Sequence, residues 1–72
     1  MAIVVRLSVV MAERKVKSKV LAEAIGITEA NMSLLKQGKV KGIKFDTLEA
    51  ICRYLHCQPG DLLQQVDDEE LP

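Results

Sequence analysis

One stretch of this sequence, SKVLAEAIGITEANMSLLKQ, constrains the fold of the chain more than any other. In it, Leu21 and Ile25 lie four positions apart. Further on, Met32 and Leu35 lie three positions apart, and both spacings place side chains on one face of a helix. Gly26 separates the two pairs, and a glycine accepts the left-handed backbone of a helix C-terminus without a Cβ clash. The pattern predicts two short helices, joined by a tight turn, that bury their apolar faces against each other.

The residues that follow the turn fit this interpretation. Ile27 can fill the gap between the two helices, and the hydroxyl of Thr28 can cap the amides that open the second helix. Two helices joined in this way form a helix-turn-helix. The alternative is a small helical bundle in which Gly26 is only a helix stop.

A helix is also predicted before this motif. Leu7, Val10, Met11 and Arg14 follow the i, i+3, i+4, i+7 spacing of a helix, with three apolar positions on the buried side. The pattern predicts a first helix over 7–14, followed by the second over 18–25.

Two further helices are predicted after the motif. Asp46 and Glu49 have the Asp-x-x-Glu spacing of a capping box, which predicts a fourth helix over 47–56. The apolar stripe of this helix consists of Leu48, Ile51, Cys52 and Leu55. Pro59 suits the first position of a short closing helix, 59–63.

The two ends of the chain resemble strands. The segment Ala2–Val5 is apolar and mostly β-branched, and Leu63–Val66 is the comparable segment near the other end. We therefore expect a small two-stranded antiparallel pairing of the termini, either within one chain or between two chains. The alternative is a frayed N-terminal arm.

The order of residues in the motif resembles the Cro/cI-type helix-turn-helix domains of phage repressors and of the xenobiotic-response-element family of bacterial regulators. The residues that carry the resemblance are Leu21-Ala22, Gly26-Ile27, Met32 and Leu35. The later run FDTLEAICRYLHCQPGDLL resembles the fourth and fifth helices of such domains, so the likeness covers most of 6–63. It implies an all-α, five-helix lambda-repressor-like fold over 1–66. It also implies a sequence-specific transcriptional regulator that binds double-stranded DNA.

In the resembled family, the third helix, here 28–36, is the recognition helix that enters the major groove. Its outward face presents four candidates for base contact: Glu29, Ala30, Ser33 and Leu34. Glu29 could accept a hydrogen bond from a cytosine amino group, and Ala30 or Leu34 could contact a thymine methyl group. The alternative is that Ala30 and Leu34 form an apolar patch for a protein partner, as in an antitoxin-like or accessory module.

The resemblance also implies contacts to the DNA backbone. Ser18 takes the position of a glutamine that commonly contacts the backbone in the family, and the lysine-rich loop after the third helix lies along the phosphates there. The candidates are Lys17, Ser18, Lys19, Thr28, Asn31, Lys36, Gln37, Lys39 and Lys41. One unit covers only a few base pairs, so useful specificity implies a homodimer on a palindromic site.

The charge is distributed unevenly along the chain. The net charge of the 72 residues is zero, but every lysine and arginine lies at or before Arg53. Residues 1–66 carry ten positively and six negatively charged side chains, a net charge of +4. The segment 67–72 is an acidic tail that we expect to be disordered. The body is therefore modestly basic, as suits a nucleic-acid partner.

The sequence favours neither a metal site nor an enzyme. Zinc would need a second pair of ligands beside Cys52 and Cys57, and His56 is the only histidine. We interpret Cys52 as a small core residue and His56 as a polar residue at a helix end. No nucleophile has an evident base beside it in the sequence, so we predict no catalytic residues and no cofactor.

No apolar run approaches the roughly 20 residues that span a bilayer. The apolar start of the chain is interrupted by Arg6. We therefore expect an uncleaved cytoplasmic protein that has no membrane partner.

Overall fold

Five helices and two short strands make up the fold. The computed structural model describes residues 2–67. The elements in chain order are β1 (Ala2–Val5), α1 (Leu7–Glu13), α2 (Ser18–Ile25), α3 (Glu29–Lys36), α4 (Phe45–Leu55), α5 (Pro59–Leu62) and β2 (Leu63–Val66). The predicted five-helix architecture with a minor terminal sheet is confirmed. Of the predicted tail, 67–72, only the first residue lies within the described part of the chain.

The two strands pair with each other within the chain. They run antiparallel, with Ala2 opposite Val66 and Val5 opposite Leu63. The Arg6 N–H then donates a hydrogen bond to the Leu62 carbonyl oxygen at 2.7 Å, which extends the link to α5. The alternative of a frayed arm is therefore wrong, and the two ends of the domain are fastened together.

The core lies between the helices and is built almost entirely from aliphatic side chains. Its buried members are Leu7, Val10, Met11, Leu21, Ala22, Met32, Leu35, Ile51, Leu55, Cys57 and Leu62. All three apolar positions predicted for α1 are buried. Cys52, which we predicted to be a core residue, is only half-buried against this cluster, and Cys57 takes the buried position. Burial raises the pKa of the Cys57 thiol, and the neighbouring Cys52 raises it further, so Cys57 is a protonated core residue at neutral pH.

Each of the first four helices is followed by a residue with left-handed backbone. These residues are Lys15 (φ 57°), Gly26 (φ 78°), Gly38 (φ 72°) and His56 (φ 54°). After α2, for example, the Gly26 and Ile27 N–H groups both donate to the Ala22 carbonyl oxygen, at 2.9 and 3.0 Å, which closes the end of the helix. The predicted helix stop at Gly26 and the helix-end position of His56 are confirmed.

This shared geometry predicts that substitutions at Lys15 and at Gly26 change the free energy of unfolding in opposite directions. Left-handed backbone costs a non-glycine residue about 1–2 kcal/mol, so Lys15→Gly should raise the free energy of unfolding by roughly 0.5–1 kcal/mol after the entropy of the added glycine is subtracted. Gly26→Ala should lower it by about 1 kcal/mol. Within residues 2–67, and apart from the two neighbours of Gly26 in the chain, no atom lies within 4 Å of a Cβ added there, so the backbone alone causes the loss. Urea denaturation followed by circular dichroism measures both values, and a change of the same sign at both positions would contradict the assignment.

The start of α4 differs from the prediction. The helix begins at Phe45, two residues before the predicted start, and Lys44 is the N-cap residue without a side-chain cap. Asp46 lies in the first helical turn instead, where its charge complements the helix dipole. The predicted capping box of Asp46 and Glu49 is therefore wrong. A carboxylate does take part in a capping box at the start of α5, where the backbone N–H of Gln58 donates to Asp61 Oδ2 at 2.8 Å.

A long-range contact of Arg14 fixes α1 against the end of α4. The Arg14 Nε donates to the Leu55 carbonyl oxygen at 2.9 Å, so a guanidinium satisfies one of the carbonyls that the last turn of α4 leaves free. The arginine at the i+7 position of the predicted first helix thus holds a second helix in place.

Every helix within residues 2–67 falls short of the length and apolar character that a membrane crossing requires.

Candidate nucleic-acid interface

The core holds α3 by one face and leaves the other face open to solvent. Met32 and Leu35 are buried, with 0% and 7% of their surface exposed. Thr28 Oγ accepts a hydrogen bond from the Asn31 N–H at 3.0 Å, so the predicted cap is confirmed and fixes the start of the helix. The outward face presents all four candidates for base contact as exposed side chains: Glu29, Ala30, Ser33 and Leu34.

The far end of this face combines polar and apolar groups. The Gln37 side-chain amide donates to Ser33 Oγ at 2.9 Å, one helical turn away. The Ser33 hydroxyl hydrogen and the side-chain amide oxygen (Oε1) of Gln37 stay available to another partner. Leu34 lies next to this pair with 43% of its surface exposed. This part of α3 can therefore offer both hydrogen bonds and an apolar contact.

A hydrogen bond joins the start of α2 to the end of α3. The Lys36 Nζ donates to Ser18 Oγ at 2.7 Å, and both side chains are half-buried. An ammonium group has three donors and a hydroxyl has one, so each group keeps a donor for an outside acceptor. The contact thus brings together two residues that the sequence predicted separately as DNA-backbone contacts.

The N-terminus of α2 is open to an anion. Lys17 is its N-cap residue, with extended backbone, and within residues 2–67 no side chain caps this end. The first turn also lacks an acidic residue, so its amides and the positive end of the helix dipole stay unneutralised. Lys17 and Lys19 are exposed on either side of Ser18. These backbone amides were not among the predicted candidates, and the sequence carries no signal for them, because Ser18 is itself a residue type that caps helices.

The lysine-rich loop starts at a fixed place. Gly38 turns left-handed after α3, and the Lys39 N–H donates to the Leu34 carbonyl oxygen at 3.0 Å. A Cβ built on Gly38 would lie 3.7 Å from Val5 Cγ2, so the loop begins against β1. Lys39 and Lys41 are exposed, as the DNA-backbone prediction requires. Lys44, which was not among the candidates, is a third exposed lysine of the same loop.

Comparison with known proteins agrees with this geometry. A model of the Cro/C1-type HTH DNA-binding domain matches residues 6–68. The uncharacterized HTH-type transcriptional regulator YozG of Bacillus subtilis (strain 168) is 51% identical over 70 residues, which are 97% of this chain and 83% of YozG.

Two solved structures resemble the fold. One is the crystal structure of a candidate DNA-binding protein from Bacteroides fragilis, with a TM-score of 0.78, 27% identity, and coverage of 88% of this chain and 100% of that one. The other is the transcriptional regulator VanUg, Form II, with a TM-score of 0.71, 27% identity, and coverage of 92% of this chain and 87% of that one. The chain therefore belongs to the family of Cro/C1-type helix-turn-helix DNA-binding domains.

Proposed function

We propose that this protein is a cytoplasmic, non-enzymatic transcriptional regulator that binds specific sites in double-stranded DNA as a homodimer. In this proposal α3 is the recognition helix. The observation that carries it is the placement of α3, whose inner face is fixed in the core while its outer face is free. Membership in a family of DNA-binding domains supports the same conclusion.

The side chains on the outer face of α3 determine which bases are recognised. Glu29 is exposed in the first turn, where its carboxylate can accept from the amino group of cytosine. Ala30 and Leu34 lie one turn apart on the same face and suit thymine methyl groups. No arginine, asparagine or glutamine takes these three positions, so recognition here depends on pyrimidine contacts rather than on bidentate contacts to purines.

The DNA backbone is held on both sides of this helix. The open amides of α2, with Ser18 and Lys36 joined beside them, form one phosphate site. Lys39 and Lys41 in the following loop form a second group of contacts. Contacts of this kind set the orientation of the recognition helix and do not discriminate among sequences.

Two copies are needed for a useful site. The eight residues of α3 span about 12 Å and touch only a few base pairs. A symmetric dimer places two such helices in successive major grooves, about 34–36 Å apart. The palindromic site that results is long enough to be distinguished from competing genomic DNA.

Binding of a labelled random-sequence duplex, measured by fluorescence anisotropy over a series of salt concentrations, tests the nucleic-acid part of the proposal. The logarithm of the binding constant should fall linearly with the logarithm of the salt concentration, with a slope of about −0.9 for each phosphate contacted. Binding that does not respond to salt would contradict the proposal.

The exposed apolar pair on α3 favours one other function, that of a protein-binding module. Leu34 is 43% exposed and lies one turn from the exposed Ala30. A partner protein that co-purifies with the wild-type chain and is lost with Leu34→Ala, in the absence of salt-dependent DNA binding, would replace the first proposal with this one.

A further inference from the structure

The helix α4 presents a second stripe of side chains that faces away from the core. Its members recur at intervals of three and four residues and so share one face of the helix. This outer stripe consists of Phe45, Glu49, Arg53 and His56, which are all exposed. Phe45 is the most exposed large apolar side chain of residues 2–67, with 87% of its surface free. Phe45 adjoins the partly exposed side chains of Leu48 and Cys52, and a contiguous apolar patch of this kind indicates a contact surface.

A groove lies along this stripe. It has a volume of about 890 Å³, and Phe45 lines one end of it while Cys57 and Pro59 line the other. Leu48 and Cys52, both half-buried, lie between these ends. The groove is thus mainly apolar along its floor, with charged side chains at its border.

We propose that the outer stripe of α4 is the surface on which a second copy of this chain binds, with the two α4 helices antiparallel about a two-fold axis that crosses the stripe midway between Glu49 and Arg53. This inference rests on the homodimer of the proposed function and names its interface. Two features of the stripe favour a second copy over an unrelated partner.

The first feature is a charge pattern that complements itself. The Arg53 guanidinium lies 2.8 Å from the Glu49 carboxylate, and the two side chains are 80% and 60% exposed. In a two-fold interface the same residues meet in reciprocal pairs. The axis lies midway between the two charges, so Glu49 faces Arg53 of the partner subunit and Arg53 faces Glu49 of the partner subunit. Two ion pairs form across the interface without any net charge.

The second feature is the match between Phe45 and the groove in this same arrangement. Phe45 precedes the axis by six residues, or about 9 Å along the helix. It therefore lies opposite the C-terminal end of α4 on the other copy, where the helix ends at Leu55 and His56 turns left-handed. That is the end of the groove between His56 and Pro59. The charge pairing and the placement of the two phenylalanines thus require one and the same register.

The size of the surface limits the strength of the dimer. One pair of packed helices of 11 residues buries less than the roughly 1,200–2,000 Å² of a standard stable interface. The dimer should therefore dissociate on dilution and be reinforced when both copies bind adjacent half-sites. A weak self-complementary interface of this kind suits a protein that assembles on palindromic DNA.

Charge reversal tests the proposal. Sedimentation of the full chain over a concentration series should show a monomer–dimer equilibrium. Glu49→Arg alone and Arg53→Glu alone each place two like-charged pairs across the axis, and each should raise the dissociation constant at least about tenfold. An equimolar mixture of the two variants should dimerise again, because the mixed dimer brings opposite charges together at both places. Both single variants lose the contact within α4 equally, so recovery in the mixture cannot come from that contact.

Phe45→Ser is the second variant, and it removes the apolar anchor. It should also raise the dissociation constant about tenfold or more, with an unchanged circular dichroism spectrum because the side chain lies outside the core. Glu23→Arg, on an exposed residue of α2, is the matched control and should leave the dissociation constant unchanged.

Other outcomes would overturn the inference. If the wild-type chain stays monomeric, or if it dimerises equally well in the Phe45→Ser and charge-reversed variants, the outer stripe is not the interface. If the mixture does not recover dimerisation, the antiparallel register is wrong. Salt-dependent binding of the wild-type chain to a random-sequence duplex is measured alongside. If that binding is present while the outer stripe fails these tests, the interface is wrong and the DNA-binding proposal stands.

Discussion

Replacing Leu35 with alanine should lower the free energy of unfolding by about 2–5 kcal/mol. Leu35 is 7% exposed and packs in the core cluster on the inner face of α3. Its truncation removes apolar contacts and leaves a cavity between α3 and its neighbours. A domain of 72 residues has a small total stability, so a loss of this size removes much of it. Urea denaturation followed by circular dichroism gives the value.

Leu34→Ala is the matched control for this experiment. It deletes the same atoms from the adjacent position of the same helix, but Leu34 is 43% exposed. The expected change in unfolding free energy is within about 0.5 kcal/mol, as is usual for surface substitutions. Equal losses in the two variants would mean that α3 does not present one face to the core and the other to solvent.

The second large effect separates positioning on DNA from recognition of bases. Lys39→Ala should weaken binding to all duplexes by a similar factor and reduce the salt slope by about one, because one phosphate contact is lost. Glu29→Gln should instead change the preferred base at one position by roughly 1–3 kcal/mol, with little change in salt slope. Anisotropy titrations on a panel of duplexes at several salt concentrations measure both.

Lys39 is a cleaner choice here than Lys36. The Lys36 ammonium also donates to Ser18 Oγ, so Lys36→Ala would disturb the contact between α2 and α3 as well as any phosphate contact. Lys15, an exposed lysine that was not predicted to contact DNA, provides the control, and Lys15→Ala should leave the salt slope unchanged. Identical behaviour of the Lys39 and Glu29 variants would contradict the division of roles.

Local patterns account for the parts of the fold that the sequence predicted well. Gly26 and Thr28 act through backbone conformation and hydrogen bonds to residues close in the sequence, so their effect is visible without a structure. The burial of Met32 and Leu35 follows from helical periodicity alone. The start of α4 was missed because an acidic residue serves equally well as a cap or within the first turn.

The contacts that were not predicted depend on packing. The hydrogen bond of Arg14 to Leu55 joins residues 41 positions apart, and that of Lys36 to Ser18 joins residues 18 positions apart. Neither follows from spacing, because each requires the relative orientation of two helices. The exposure of the predicted base contacts follows from helical periodicity, because the residues opposite a buried face point to solvent. The open N-terminus of α2 becomes apparent only when the structure shows that Lys17 is the N-cap residue and that no side chain within residues 2–67 caps the helix.

Selection of bound sites from a pool of random duplex DNA tests most directly the claim that α3 recognises a DNA sequence. The wild-type chain should enrich a palindromic site, Lys39→Ala should enrich the same site more weakly, and Ala30→Gln should enrich a site altered at a symmetric pair of positions. An adenine is expected there, because glutamine makes a bidentate contact to that base. Failure of the wild-type chain to enrich any site, or enrichment of an unchanged site by Ala30→Gln, would contradict the assignment of α3 as the recognition helix.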